Sequence, residues 1–273
     1  MAEASAASLF DLTGRVAVIT GGAGLLGPQH AEAITAFGGI AVLADVRARE
    51  AQRAAAAICG TRGREAMAVG VDITRPASVD AMVRRVMARY GKIDILINNA
   101  AMTARYGGAS SKQYFAPLER YPLSLWRRAL ETNLTGMFLC AQRVGKVMVT
   151  QRRGVIVNVA SDLSLISPDH RIYRGESFNT PVAYAVSKTG VIGLTRYLAT
   201  YWARRHIRVN ALSPAGVFDG HRPSFVKKLS SLIPMGRMAT QTEYQGALLF
   251  LVSDASSFMT GANLVVDGGR TCW

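Results

Sequence analysis

Short apolar runs alternating with longer helical stretches constrain this chain more than any other feature. Val16-Ala-Val-Ile-Thr20 reads as a strand buried on both faces. Pro28 to Phe37 then takes helical spacing, with the proline near the first position, where a missing N–H costs nothing, and Gly38-Gly39 ends it. Ile40-Ala-Val-Leu-Ala44 is a second strand, and further strands are expected at Ala66–Val71, Ile93–Asn98, Val155–Val159, Ile207–Ala211 and Asn263–Val266. Helical patterns fill 47–58, 76–90, 124–149, 181–204 and 241–253. Such alternation argues an α/β fold: a doubly wound, seven-stranded parallel Rossmann-type sheet with helices on both faces. Seven strands in one sheet use the whole chain, so one domain is expected over 13–273, behind a leader at 1–12. Two stretches, Met102 to Pro122 and Asp162 to Thr180, look irregular, and Phe218 to Met235 reads as a small helical flap. Loops that long in a compact domain are usually functional or mobile.

The first strand runs into Thr20-Gly-Gly-Ala-Gly-Leu-Leu-Gly27, which opens the first helix. Glycines there permit a tight turn and bring the backbone close to a pyrophosphate at a helix N-terminus. Asp45 ends the second strand, near the expected spacing of about 20 residues. A carboxylate at that place accepts hydrogen bonds from a ribose diol and repels a 2′-phosphate. NAD is thus favoured over NADP, with Arg47 as the counterweight, since a nearby arginine can take a phosphate.

Tyr184 and Lys188 stand at i, i+4, one above the other on a helix face. A free tyrosine has a pKa of about 10. A cation beside it favours the phenolate, which makes the pair a proton-transfer device. Thr180 and Pro181 offer a cap and first position for the helix that carries it.

Together these residues resemble the short-chain dehydrogenase/reductase family, compact type, over about residues 10 to 270. The matching pieces are the glycine loop, Asp72 in Val71-Asp-Ile-Thr, Asn98-Asn-Ala-Ala101, Asn133 in Thr132-Asn-Leu-Thr-Gly136, Ser161 in Val157-Asn-Val-Ala-Ser161, Tyr184-x-x-x-Lys188, Arg208-Val-Asn-Ala-Leu-Ser-Pro214, and Thr260-Gly with Val266-Asp-Gly-Gly269. The resemblance implies an oxidoreductase that interconverts a secondary alcohol and a ketone by hydride transfer. It makes Tyr184 the acid/base, Lys188 the group that lowers its pKa and holds the nicotinamide ribose, Ser161 the residue that positions the substrate oxygen, and Asn133 the holder of a relay water. It also implies that Gly21, Gly24, Leu25, Leu26, Asp45, Val46, Asp72, Ile73, Asn99, Ala100, Ala101, Pro214 and Val217 contact the cofactor with Tyr184 and Lys188. The chain departs from the pattern at Leu25, where compact members carry glycine, and at Ala215 and Asp219.

The segment from Ser161 to Tyr184 is longer than the family's usual connection and holds Asp169, His170, Arg171, Tyr173, Arg174, Glu176 and Asn179. The segment after Asn99 is also long, with Arg105, Tyr106, Lys112 and Tyr114. Both leave strand C-terminal ends, where ligands bind in such sheets. Their polarity points to a sugar, sugar acid or polyol, and the run from Arg171 to Tyr184 resembles members associated with sugars and sugar acids. Ser161, His170, Arg171, Tyr184 and His221 are the candidate substrate contacts. Three alternatives stay open: an NADPH-dependent carbonyl or 3-oxoacyl thioester reductase, a non-catalytic dinucleotide-binding regulator, and a basic protein that meets nucleic acid.

The net charge is +14, but Lys and Arg are scattered without interleaved aromatics, so a solvated surface rather than nucleic acid is expected. No apolar run approaches the ~18 residues of a membrane span. Cys59, Cys140 and Cys272 have no metal or redox spacing, nor do His170, His206 and His221, so no metal is expected and a reducing cytoplasm fits. The resemblance implies a homotetramer or homodimer, with the helices at 124–149 and around Tyr184 at one interface and the C-terminal segment to Trp273 at another.

Overall fold

The computed structural model describes residues 5–62, 64–103, 111–174 and 179–273. Seven strands form one parallel sheet: β1 Val16–Thr20, β2 Ile40–Asp45, β3 Ala66–Gly70, β4 Ile95–Asn98, β5 Gly154–Val159, β6 Ile207–Pro214 and β7 Asn263–Val266. Their order is β3-β2-β1-β4-β5-β6-β7, so the winding reverses beside β1. The helices are α1 Gly27–Ala36, α2 Ala48–Arg62, α3 Pro76–Tyr90, α4 Ser111–Tyr114, α5 Leu123–Leu130, α6 Gly136–Gln151, α7 Val182–Trp202, α8 Pro223–Ser230 and α9 Gln245–Val252.

Strand periodicity distributes the core. Val16 and Val18 point to one face, where Val79, Met82, Val144 and Trp202 of α3, α6 and α7 cover them. Ala17 and Ile19 point to the other, against Ile34, Ile58 and Leu248 of α1, α2 and α9. Both faces of the central strands are therefore dry, which is why those strands read as continuous apolar runs.

Leu12 is fully buried and its N–H donates to the Phe37 carbonyl at 2.8 Å. The end of the expected leader thus packs into the core, a long-range contact with no local signal. The helix expected over 124–149 is interrupted. A π-turn at Glu131–Thr135 separates α5 from α6. The stretch 162–180 is not a free polar loop either: Ile172 packs with Leu229 and Ile233 of the 218–235 flap and with Met238 just after it. Arg105, Tyr106 and Glu176 lie outside the described residues, as does the side chain of Lys112. Among the described residues no helix is long and apolar enough to cross a membrane.

Candidate active site

The C-terminal ends of β1, β2, β4, β5 and β6 open into one cleft of about 1740 Å³. That exceeds the ~300–1,000 Å³ of a pocket for one small ligand. The glycine loop forms one wall. Gly21 takes φ 65°, and a Cβ there would come within 2.7 Å of the Ala100 Cα, so the close approach of β1 and β4 requires glycine. The Asn99 amide donates to the carbonyls of Thr20 at 3.0 Å and Gly21 at 3.1 Å, fastening the loop from below. Leu25 keeps a negative φ, so the backbone does not need the family's glycine there.

Asp45 is buried at the end of β2. Its Oδ2 accepts from the Ala23 N–H at 3.0 Å and its Oδ1 from the Arg47 N–H at 2.9 Å. Arg47 Nη2 donates to the Ala23 carbonyl at 2.8 Å. The arginine weighed as a phosphate ligand thus braces the loop. Gly24, Leu25, Leu26, Val46, Asp72, Ile73, Ala100, Ala101, Pro214 and Val217 line the same cleft.

Across the cleft, Ser161 follows β5, and Tyr184 and Lys188 rise from α7. All three line it. Pro181, not Thr180, takes the cap position of α7, and Thr180 meets the Tyr173 hydroxyl at 2.7 Å instead. Lys188 Nζ donates to the Val159 carbonyl at 2.6 Å and lies 5.7 Å from the Tyr184 ring centre. The Tyr184 side chain keeps some access to the cleft but is closely ringed by protein. That burial pushes its phenol up to about 12; the Ser161 hydrogen bond lowers it and the Asp162 carboxylate raises it further. Burial also pushes the Lys188 amine down to about 8. Burial therefore dominates the Tyr184 phenol here, and Lys188, whose Nζ is turned to the Val159 carbonyl, is not among the groups that shift it.

Asn133 is fully buried in the π-turn. The extra residue in that turn lets its side chain face α7 and the loop after β4. Its Oδ1 accepts from the Met102 N–H at 2.6 Å and its Nδ2 donates to Ser187 Oγ at 3.1 Å. Both contacts cross to other elements, so Asn133 ties the two segments together behind Tyr184.

A protein-family model described as enoyl-(acyl carrier protein) reductase matches residues 23–271. A D-threitol dehydrogenase of Mycolicibacterium smegmatis is 37% identical over 270 residues, covering 96% of this chain and 95% of that protein. An NAD-dependent glycerol dehydrogenase of Listeria innocua is 35% identical over 267 residues, 96% of each. Among solved structures, a gluconate 5-dehydrogenase from Burkholderia cenocepacia in complex with NADP and tartrate superposes with a TM-score of 0.85 at 31% identity, covering 97% of this chain and 98% of that one. The chain belongs to the short-chain dehydrogenase/reductase family. It is an oxidoreductase of alcohol and carbonyl groups.

The family member's substrate wall differs from the sequence expectation. His221 lines the cleft and stacks on Phe225, with ring centres 5.6 Å apart. His170 and Arg171 do not line it: both are exposed. Asp169 caps their short turn and pairs with Arg171 at 2.6 Å, which holds the guanidinium at the surface. Tyr173 and Thr180 of the same segment face the cleft in their place.

Sequence reasoning missed three further groups. Asp162 and Arg270 form a buried ion pair at 2.9 Å on the cleft wall. They are far apart in sequence, so no local signal joins them. His30 lies on the buried face of α1 with Gly27, Ala31 and Ile34, a helical spacing that marks it as core. Burial pushes it down to about 4, with Asn99 offsetting part of the shift.

Proposed function

We propose that this protein oxidises a secondary alcohol of a polyol or sugar, reversibly, with NAD as the partner. The observation that carries the reading is the convergence of Ser161, Tyr184 and Lys188 on the same cleft as the glycine loop and Asp45. The residues suit the cofactor. Gly21, Gly24, Leu25 and Leu26 would cradle its pyrophosphate and Asp45 its adenosine ribose. Asp72, Ile73, Asn99, Ala100 and Ala101 would flank the adenosine, with Val46 at the rim. Lys188, Pro214 and Val217 would hold the nicotinamide end. NAD supplies the hydride acceptor when bound.

The protein's own residues would do the rest. Tyr184 takes the hydroxyl proton, Lys188 balances the phenolate charge, and Ser161 orients the reacting oxygen. Asn133 keeps the wall behind Tyr184 in place and stands where a water could relay protons from Lys188. Asp45, with Arg47 already spent on the loop, supports NAD over NADP, and the NAD-dependent glycerol dehydrogenase is a relative. Two sugar-alcohol relatives, and the Tyr173 hydroxyl, the His221 ring and the Asp162–Arg270 pair on the cleft wall, support a hydroxyl-rich substrate. Exposed apolar groups on α7, namely Val186, Tyr197 and Tyr201, with Phe138 on α6, support a homodimer or homotetramer formed through those helices. Trp273 instead donates to the Leu232 carbonyl of its own chain at 3.0 Å. Three free cysteines suit a cytoplasmic setting.

Tyr184→Phe tests the reading. Turnover of polyols with NAD should vanish while NADH still binds with near-normal affinity by fluorescence titration. A variant that keeps near-normal turnover removes Tyr184 from the chemistry.

A further inference from the structure

Asp162 immediately follows Ser161, and its carboxylate is almost wholly buried. Its Oδ1 accepts the Ser161 hydroxyl at 2.8 Å and the Leu163 N–H at 2.8 Å. Its Oδ2 accepts Arg270 Nη1 at 2.9 Å. Arg270 sits in the short turn after β7, which Asp267 fastens by accepting the N–H groups of Gly269 at 2.9 Å and Thr271 at 2.7 Å. The guanidinium carries five N–H donors. Its bond to Asp162 uses Nη1, and Arg270 also lines the cleft.

The chemistry of this wall is specific. It offers N–H donors without offering net positive charge, because Asp162 balances Arg270 at contact and Asp267 adds a second carboxylate nearby. A bound carboxylate would meet that negative charge, whereas a hydroxyl would meet only donors and acceptors. Lys188 on the far side is turned to the Val159 carbonyl, and Asp219 and Arg222, one of each sign, line the wall from the flap. The two oxygens of a vicinal diol lie within hydrogen-bonding distance of each other, about 2.8 Å. An alcohol oxygen held on Ser161 and Tyr184 therefore places its neighbour beside Asp162, whose Oδ1 is one hydrogen bond from Ser161 and whose Oδ2 holds Arg270.

We propose that Arg270, its charge balanced by Asp162, binds the hydroxyl next to the reacting carbinol and so selects uncharged vicinal diols over hydroxy acids. The proposal rests on the reading that this cleft oxidises secondary alcohols, and goes beyond it by assigning the residues that separate polyols from sugar acids. Asp162 acts through Arg270 and Ser161 and is a positioning residue.

A matched series tests it: 1,2-propanediol, 2-propanol and lactate share one reacting carbinol and differ only in the neighbouring group. kcat/KM with NAD is measured for each in the wild type, in Asp162→Asn, and in the double variant Asp162→Leu/Arg270→Met. Intrinsic reactivity differences cancel when each ratio is compared between variant and wild type. In the double variant the advantage of the diol over 2-propanol should shrink by about tenfold or more, the scale of a lost charged hydrogen bond. In Asp162→Asn the unbalanced guanidinium should raise the lactate-to-diol ratio by about tenfold. NADH affinity should stay unchanged in both, which checks the fold. Should a variant fail to fold, inhibition of the wild type decides: ethylene glycol must compete with substrate better than acetate does. Ratios that do not move, or acetate as the better inhibitor, overturn the proposal while leaving alcohol oxidation intact. Failure of the wild type to oxidise any alcohol would instead remove the reading beneath it, and the proposal with it.

Discussion

Acid should loosen this protein through His30. The ring is fully buried in α1, beneath the glycine loop, and neither nitrogen meets a hydrogen-bond partner at good geometry, although the Asn99 amide is close enough to offset part of the cost. Burial holds the imidazole at about 4 against an ordinary 6.5. The folded state therefore keeps His30 neutral while the unfolded chain takes up a proton below pH 6.5. Unfolding is favoured wherever the unfolded state binds more protons, so stability present above pH 6.5 drains away as pH falls towards 4 and then levels. Each tenfold difference in proton affinity is about 1.4 kcal/mol, so the full loss is about 3 kcal/mol and the loss at pH 5 about 2 kcal/mol. Asp169 and Glu243 are held near 2 by Arg171 and Arg237 against ordinary values of 3.8 and 4.5, so what they contribute is lost mainly below pH 4.5 and is common to wild type and His30 variant. Urea unfolding followed by tryptophan fluorescence at pH 7.5 and 5.0 reads the effect, with His30→Leu as the control that cannot titrate. The stability gap between variant and wild type should widen in the variant's favour by about 2 kcal/mol between the two pH values. A gap that changes by less than about 0.5 kcal/mol would refute the reasoning.

Three further outcomes are expected. Asp45→Ala should weaken NAD more than NADP, read as the ratio of KM values; an unchanged ratio takes Asp45 out of cofactor choice. Alcohol oxidation should speed up as pH rises from 7 to 9 and ketone reduction should slow, because burial raises the Tyr184 phenol and oxidation needs its base form. A flat profile for the chemical step would place the titrating group elsewhere. Gly145→Ala should lower the thermal midpoint, because its Cβ would lie 2.3 Å from the Trp202 ring where α6 crosses α7; overpacking of this kind costs about 1–3 kcal/mol, more than the gain in helix propensity. An unchanged or raised midpoint would mean that the indole moves aside freely.

The sheet was legible because its signal is local. Val16 to Ile19 and Ile40 to Ala44 are apolar at every position, and every strand end falls within three residues of the expected range. Asp45, the glycine loop and the Tyr184–Lys188 spacing were legible for a related reason: each is a short pattern whose chemistry follows from its place after a strand or on a helix face. The break in the 124–149 helix was not, since a π-turn leaves the residue pattern looking helical. Nor were the surface position of Arg171, set by Asp169 two residues away, and the burial of Ile172, set by the flap more than fifty residues further on.

Periodicity and motif spacing are properties of neighbouring residues, so the chain carries its fold class, its glycine loop and its Tyr184–Lys188 spacing openly. Asp162 and Arg270 meet only because β5 and β7 end on the same side of one sheet, and His30 is left without a well-placed partner among the described residues only because α1 packs over β1. Contact between distant residues has no sequence period to announce it. The charge balance beside Ser161, and the titration behaviour of Tyr184, Lys188 and His30, therefore had to come from the packed molecule.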